Sequence, residues 1–314
     1  MRRRPSVLVT ATAATMFAVL VAASSAQVSA GSGDRNPQNR VTLLSADPHS
    51  MPAAPALQPV PEASPEPIAV LDGLDTRARE ATADAANNGA NISFTILDRK
   101  TKQEIANGDG AAFPIASVAK LFIADDLLLQ VVKGQTQLTP DDRQQLDAML
   151  RSSDDTAAEN FWNRSGGSAI ITRVITRYGL GGTTTPYDGH WWNTMSTTAD
   201  LVRYYDMLLD GTGGLPPEQA NIILSNLSES TPDGDDGYPQ RFGIPDGLFA
   251  EPVAVKQGWM CCWNGGNWLH MSTGVIGRDH RFVIAIGSMQ PVDDATARST
   301  ITQAIKTIFP GGRI

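Results

Sequence analysis

Strand patterns lie near both ends of the folded part of this 314-residue chain, and helix patterns fill the stretch between them. Residues 91–98 alternate apolar and polar side chains as a strand does, and residues 104–107 can return beside them. Strand patterns resume at residues 253–256, 272–276 and 281–289. This order predicts one sheet built from both ends of the domain, with a helical lobe inserted between its two parts.

Helix patterns account for most of the remaining domain. Asp75 can cap a first helix that continues to Ala86. The middle helices are predicted at residues 117–132, 141–150, 155–162, 170–178 and 199–209. After the last strand, residues 293–309 place four apolar side chains on one helical face, namely Ala297, Ile301, Ile305 and Ile308. We therefore expect a mixed α/β domain, an antiparallel sheet flanked by helices.

The N-terminus has the pattern of an export signal followed by a linker. Three arginines precede an apolar run, and small residues allow cleavage after Ala26 or Ala30, so residues 1–30 are predicted to be a signal peptide. The alternative is an uncleaved membrane anchor, and no cysteine stands near the cleavage site to accept a lipid. Residues 31–74 are rich in proline, which predicts a disordered linker. The folded domain, residues 75–314, is expected outside the cytoplasm, secreted into the cell envelope.

Composition narrows the range of partners and cofactors. The formal net charge of −8 does not favour binding to nucleic acid. The two cysteines, Cys261 and Cys262, are adjacent and can form a vicinal disulfide, remain buried thiols or pair between chains. The four histidines show no ligand spacing with them, so no metal site is expected.

The first candidate for chemistry is the chain's only Ser-x-x-Lys, at Ser117 and Lys120. A serine hydroxyl needs a base beside it to act as a nucleophile, and helix positions three apart share a face. Burial can lower the pKa of Lys120 until its amine accepts the serine proton. The alternative is a surface lysine on an ordinary helix, but an apolar run follows Lys120 at once.

Two later segments can complete such a site. Ser153 precedes Asp154 and Asp155, and its hydroxyl can relay a proton from Lys120; the alternative is a helix N-cap, which serine and aspartate both favour. Lys256 can orient the substrate from a predicted strand.

The residues after Lys256 offer binding groups. Gln257 can contact the substrate, and Gly258 permits a ligand to approach the strand closely. The backbone N–H groups of Trp259 and Ser117 can form an oxyanion hole. The alternative for this segment is an ordinary strand end with a lysine in a turn.

These three segments together resemble those of class A β-lactamases and penicillin-recognising serine hydrolases. Residues 113–120 are similar to the family's nucleophile segment, Ser-Asp-Asp-Thr-Ala-Ala to its Ser-Asp-Asn-Thr-Ala-Ala, and Lys-Gln-Gly to its Lys-Thr-Gly. The chain as a whole resembles the LppW-type alanine-rich envelope proteins of actinobacteria. The resemblance implies the β-lactamase and transpeptidase fold, with a reduced helical lobe.

The departures from that pattern bear on activity. Asp155 stands where the family has an asparagine, so a donor amide becomes a carboxylate that only accepts. Gln257 replaces a threonine whose hydroxyl helps to hold a substrate carboxylate. The segment 183–193, where class A enzymes carry the glutamate that activates the deacylating water, has only Asp188. Efficient β-lactam turnover is therefore not expected.

The sequence thus predicts a monomeric serine hydrolase that forms an acyl-enzyme on Ser117 from a cell-wall peptide or a β-lactam. The alternative is a catalytically silent protein of the same fold that binds peptidoglycan or another envelope partner. The chemistry requires no metal or organic cofactor. Five tryptophans fall around the expected cleft, where they can pack against the core or bind sugar rings and peptide stems: Trp191, Trp192, Trp259, Trp263 and Trp268.

Overall fold

A computed structural model describes residues 73–107 and 110–314. The signal peptide predicted at 1–30 and the linker up to residue 72 lie outside the described residues. The strands are β1 (Asn91–Asp98), β2 (Gln103–Ala106), β3 (Phe113–Pro114), β4 (Met195–Ser196), β5 (Val253–Trp263), β6 (Asn267–Ile276) and β7 (Phe282–Gln290). The helices are α1 (Leu74–Asn87), α2 (Ala119–Val132), α3 (Pro140–Arg151), α4 (Asp155–Arg164), α5 (Ala169–Tyr178), α6 (Thr198–Asp210), α7 (Pro217–Ser228), α8 (Ile244–Gly247) and α9 (Asp294–Ile308).

The main sheet joins the two ends of the domain, as the strand pattern predicts. Its strand order is β2-β1-β7-β6-β5, and every neighbouring pair is antiparallel. Residues 91–98 pair in full with β7, so that Asn91 lies opposite Met289 and Asp98 opposite Phe282. The expected α/β fold, an antiparallel sheet flanked by helices, is therefore confirmed.

Each face of the sheet covers its own apolar core. Helices α1 and α9 bury one core against β1, β7 and β6, and the predicted apolar face of α9 is buried there. The other core surrounds α2, whose residues are buried from Ala119 to Leu129 and which packs among the middle helices. A lysine and two aspartates, Lys120, Asp125 and Asp126, lie within that buried stretch. The layers are thus a helix pair, a sheet and a helical lobe.

Local differences from the sequence predictions have physical causes. The prediction that Asp75 caps α1 is wrong: Gly73 holds the cap position, and the Asp75 carboxylate pairs with Arg79 at 2.6 Å. Helix α7 was not predicted, because its start at Pro216-Pro217 resembles a loop, although a proline at the first helical position is already set for the helix. Strand β5 continues past Lys256 to Trp263, where it turns back into β6.

Candidate active site

Ser117 lies in a tight turn, Ala116–Val118, directly before α2. Ala116 has φ of 45°, a left-handed conformation that is unusual for a residue with a side chain. Such strained backbone is common at functional sites. The Ser117 side chain lies at the start of the most buried helix, and its Oγ lies 2.9 Å from Lys120 Nζ.

Lys120 is fully buried, and besides Ser117 its amino group has polar partners on Ser153 and Asp155. Its Nζ lies 2.6 Å from the Ser153 carbonyl, 3.3 Å from Ser153 Oγ and 2.5 Å from Asp155 Oδ1. It also lies 4.7 Å from the centroid of the Trp191 ring. Burial lowers the pKa of the Lys120 amino group, while the Asp155 carboxylate opposes that shift. The balance between these two effects sets how readily Lys120 can act as a base.

Ser153 lies between the two lysines. Its backbone has φ of 62°, and its Oγ accepts from Lys256 Nζ at 2.7 Å. The helix N-cap that the sequence suggested for this segment is Asp154, which accepts from the Ala157 N–H at 3.0 Å. The Ser153 hydroxyl therefore does not cap the helix, and it contacts both Lys120 and Lys256.

Lys256 is 1% exposed, so its ammonium lies behind Ser153 rather than in the open cleft. Burial and the charge of Lys120 lower its pKa well below the ordinary range for lysine. The structure thus brings together all four predicted catalytic side chains in one chain of contacts: Ser117, Lys120, Ser153 and Lys256.

The residues that follow Lys256 have different surroundings. Gln257 is buried, and its amide donates to the Phe242 carbonyl on the far side of β5, so it does not line the cleft. A Cβ at Gly258 would lie 2.5 Å from the Ile115 carbonyl oxygen and 3.2 Å from the Ser117 nitrogen. The close contact that requires glycine here is therefore not with a ligand but with the turn that carries Ser117, which packs against the strand at this position.

Trp259 lines the cleft, and its ring stacks on Tyr238 with centroids 4.5 Å apart. The Tyr238 hydroxyl lies 2.7 Å from His270 Nε2 and donates to Asp294. His270 is opposite Trp259 on β6, and burial lowers its pKa to about 4. This network fixes the strand segment that carries the predicted oxyanion-hole N–H.

The cleft in front of Ser117 has a volume of about 420 Å³. Sequence patterns identified Ser117, Asp155 and the tryptophans of this cleft but missed Tyr187, Asn193 and Asp236. Tyr187 and Asp236 come from loops and Asn193 from a single helical turn, and such segments have no periodic pattern to reveal them. A larger pocket of about 720 Å³ lies between α2 and α5, and none of the predicted site residues lines it. The cleft is therefore chosen as the candidate site because it lies beside Ser117, not because of its size.

The far wall of the cleft holds the cysteines and most of the aromatic rings. Cys261 and Cys262 form a vicinal disulfide, the first of the three states that the sequence left open. They line the cleft with Trp259, Trp263 and Trp192, and Trp191 also lines it although only 2% of that residue is exposed. The tryptophans of the cleft thus differ in exposure: Trp191 is packed, and the other three are half-buried.

The loop of residues 183–193 closes another side of the cleft. The Asp188 carboxylate accepts from the His190 N–H at 3.1 Å and from Asn193 Nδ2 at 2.7 Å. These bonds lower the pKa of Asp188. Its carboxylate thus holds the loop in shape and does not line the cleft.

Within residues 73–107 and 110–314, no group of acidic, histidine or cysteine side chains could hold a metal ion. In the same part of the chain, no helix is long and apolar enough to cross a membrane.

Comparison with known proteins identifies both the fold and the family. No family model matches the chain. The chain resembles a β-lactamase from Chitinophaga pinensis (TM-score 0.60, 15% identity, covering 74% of this chain and 98% of that one). It also resembles a PBP-A variant solved as its penicillin G acyl-enzyme (TM-score 0.62, 17% identity, 76% and 96%). In sequence, it is 53% identical to the lipoprotein LppW of Mycobacterium tuberculosis over 317 residues and the full length of both proteins. The chain therefore belongs to the LppW family and has the fold of class A β-lactamases and penicillin-binding proteins.

Proposed function

We propose that this protein is an exported serine hydrolase that forms an acyl-enzyme on Ser117 from a cell-wall peptide or a β-lactam amide. The observation that supports this most is the unbroken chain of contacts from Ser117 Oγ through Lys120 Nζ and Ser153 Oγ to Lys256 Nζ. A protein that only bound its partner would not need two buried lysines on either side of a hydroxyl, because buried amines are unfavourable without compensating contacts.

The proposed acylation step gives each of these groups a role. Neutral Lys120 takes the proton of the Ser117 hydroxyl, and Ser117 Oγ forms a bond to the carbonyl carbon. The carbonyl oxygen becomes an oxyanion that the N–H groups of Ser117 and Trp259 stabilise. The C–N bond then breaks, and Ser153 passes a proton from the Lys120 ammonium to the leaving nitrogen. Lys256 keeps the Ser153 hydroxyl in place for that transfer.

Deacylation, the second half of a hydrolytic cycle, lacks an evident base in the cleft. The loop of residues 183–193 contains no glutamate, and the Asp188 carboxylate is held by His190 and Asn193. Without a base to activate water, we expect the ester on Ser117 to persist. Slow hydrolysis or transfer to a second nucleophile then follows acylation, rather than efficient β-lactamase turnover.

We place the protein in the cell envelope, in line with the lipoprotein name of its relatives and the export signal predicted at residues 1–30. The chain's two cysteines both lie in β5, far from that signal. A lipid on a cysteine near the signal is therefore not available to this chain. Retention in the envelope would depend on the signal segment itself or on binding to another envelope component.

One observation favours a second function, a silent binding protein. Asp155 Oδ1 lies 2.5 Å from Lys120 Nζ, and this ion pair favours the protonated lysine, which cannot act as a base. In that case the fold would bind peptidoglycan without acylation. The two functions differ in whether Ser117 becomes covalently modified.

The experiment that separates them is intact-mass spectrometry of the full chain after incubation with penicillins, cephalosporins and activated esters. The proposed hydrolase gains the mass of one acyl group on Ser117, and Ser117→Ala gains none. Ser168→Ala is a matched control, because Ser168 precedes α5 without a capping bond from its side chain. An equal mass gain in Ser117→Ala would overturn the nucleophile assignment. No gain in any variant, with retention on peptidoglycan, would favour the binding protein.

A further inference from the structure

We propose that the cleft selects an acyl donor that carries an ammonium group, held by Asp155 and Asp236 beside aromatic faces. This inference rests on the proposed function and names the substrate class for the same site. It starts from the charges that face the cavity in front of Ser117.

The cleft presents carboxylates and no accessible cation. Asp155 has 76% of its side chain exposed, and Asp236 is also exposed; both line the cavity. Among the described residues that line it, none is a lysine or an arginine. Lys120 and Lys256 are buried and engaged with Ser153. Asp155 Oδ1 is paired with Lys120, so an ammonium group would meet Asp155 Oδ2 and the Asp236 carboxylate, whereas an anionic group would be repelled by both side chains.

Aromatic rings stand beside these carboxylates. Trp192 shares with Asp155 a second pocket of about 320 Å³ that adjoins the cleft. Its ring is stacked on His190, with centroids 4.4 Å apart, which fixes its orientation. Glu159 lies one turn after Asp155 on α4 and lines the same pocket. A carboxylate beside an indole face is a favourable site for an ammonium group, since both attract a positive charge.

Trp191 adds an independent sign of a ligand. It lines both the cleft and the adjoining pocket, and it is 2% exposed. Its indole N–H is buried and has no hydrogen-bond partner among the described residues. An unpaired buried donor is unfavourable. A substrate with a carbonyl oxygen near its ammonium group could supply the missing acceptor.

A bound ammonium group would also affect the nucleophile. The carboxylates of Asp155 and Asp236 both favour the charged form of Lys120 and so raise its pKa. A positive charge bound beside these carboxylates would offset their effect on Lys120 and favour the neutral amine that accepts the Ser117 proton. The substrate's own charge would then help to activate the base, and a neutral or anionic acyl donor would lack this effect.

The test compares three thioesters of equal chain length that end in an ammonium group, a hydroxyl group or a carboxylate. The rate of acylation of the full chain is followed by intact mass. We expect the ammonium donor to react about tenfold faster than the hydroxyl donor, and the carboxylate donor to react slowest; tenfold is one unit of pKa. Asp236→Asn should reduce the ratio of ammonium to hydroxyl rates. Asp246→Asn, at a half-buried residue of α8 outside the cleft, should leave that ratio unchanged.

The outcomes separate the two proposals. Equal rates for all three donors, or an unchanged ratio in Asp236→Asn, would overturn the selection of cations while leaving Ser117 as a nucleophile. Acylation by none of the donors would overturn the proposed function, and this inference with it. A ratio that falls equally in Asp246→Asn would show general attraction to an acidic protein rather than a site.

Discussion

The floor and the wall of the cleft differ in how firmly their residues are fixed. The floor is the group Ser117, Lys120, Ser153 and Lys256, all of which are at most 7% exposed. The wall is the group of residues 183–193 together with residues 259–263, which hold the exposed ring of Tyr187, the half-buried rings of Trp192, Trp259 and Trp263, and the disulfide. Under the proposed function, the floor would supply the groups for acylation, whereas the wall lacks a placed base for deacylation. The proposal therefore assigns forming the acyl-enzyme and releasing it to separate parts of this molecule.

The difference has a physical origin. Each floor residue touches another floor residue, so a change in one leaves a buried polar group without its partner, which is strongly unfavourable. The wall residues lie in a loop with a short helical turn and in a strand end, and many of them are exposed or half-buried, where substitutions are tolerated more easily. We therefore expect substitutions of floor residues to change the reaction rate strongly and substitutions of wall residues to change it much less.

The largest effect is expected for Lys256→Met on the floor. Met has a similar length but cannot hold the Ser153 hydroxyl, so we expect acylation of Ser117 to slow by about 100-fold or more, as for loss of a proton-transfer group. The fold should remain, because an apolar side chain tolerates this burial better than an amine does. The rate of mass gain measures the effect, with thermal unfolding as the check on folding. Lys133→Met, on the exposed end of α2, is the matched control. Equal rates in both variants would remove Lys256 from the chemistry.

Gly258→Ala tests the contact between the strand and the nucleophile turn. The new Cβ would lie 2.5 Å from the Ile115 carbonyl oxygen, so the turn that carries Ser117 must move. We expect a loss of about 1–3 kcal/mol in the free energy of unfolding and about 100-fold in acylation rate. Urea denaturation and mass gain measure the two effects. Gly181→Ala is the control, because a Cβ there meets no atom within 4 Å. Wild-type acylation by Gly258→Ala would show that the turn position does not matter.

The two regions also differ in how far the sequence predicts them. The residue types and order of the floor predicted a common site, and the structure brings all four side chains together; their catalytic roles stay predictions. The alternation of β1 and the apolar face of α9 predicted the sheet and its flanking helix, because the apolar residues of each lie on the one face that packs in the shared apolar core. Both faces of β1 are buried, and the polar residues Ser93 and Thr95 on its other face contact Thr198. Asp236 and Tyr187 reach the wall through loops, where backbone turns rather than periodic burial set the side-chain position.

Gln257 shows a further limit of the sequence. Its place in the Lys-Gln-Gly segment predicted contact with the substrate, but the amide is buried and donates to Phe242. Neighbouring residues of a strand point to opposite faces of the sheet. A sequence motif gives the residue types but does not show which of them face the cleft. The same applies to Gly258, whose packing partner became visible only when the turn before α2 was placed against β5.

Asp155→Asn acts where the floor meets the open cleft. The Asp155 carboxylate raises the pKa of Lys120, against the lowering effect of burial. The amide removes that charge, so the pKa of Lys120 falls further, and the neutral amine forms at lower pH. Acylation rises with pH as Lys120 loses its proton, and the rising part of the profile should therefore move to lower pH.

With a neutral acyl donor, we expect acylation by Asp155→Asn to be about tenfold faster at pH 7, since one unit of pKa is tenfold in the ratio of the two forms. Mass gain measured across a pH series gives the profile. Asp147→Asn, on the exposed side of α3, is the control for the change in net charge. A profile that moves to higher pH, or does not move, would contradict the role of Lys120 as the base.

The smallest effect is expected for Asp188→Asn on the wall. The Asp188 carboxylate is occupied by the His190 N–H and Asn193 Nδ2, and it does not line the cleft. It therefore cannot activate water at an ester on Ser117, and the lifetime of the acyl-enzyme should change less than about twofold. Asparagine keeps one acceptor for these donors, so the loop should keep its shape. The lifetime is followed as the loss of acyl mass after excess donor is removed. A lifetime longer by tenfold or more would make Asp188 the missing base, and the wall would then take part in the chemistry as the floor does.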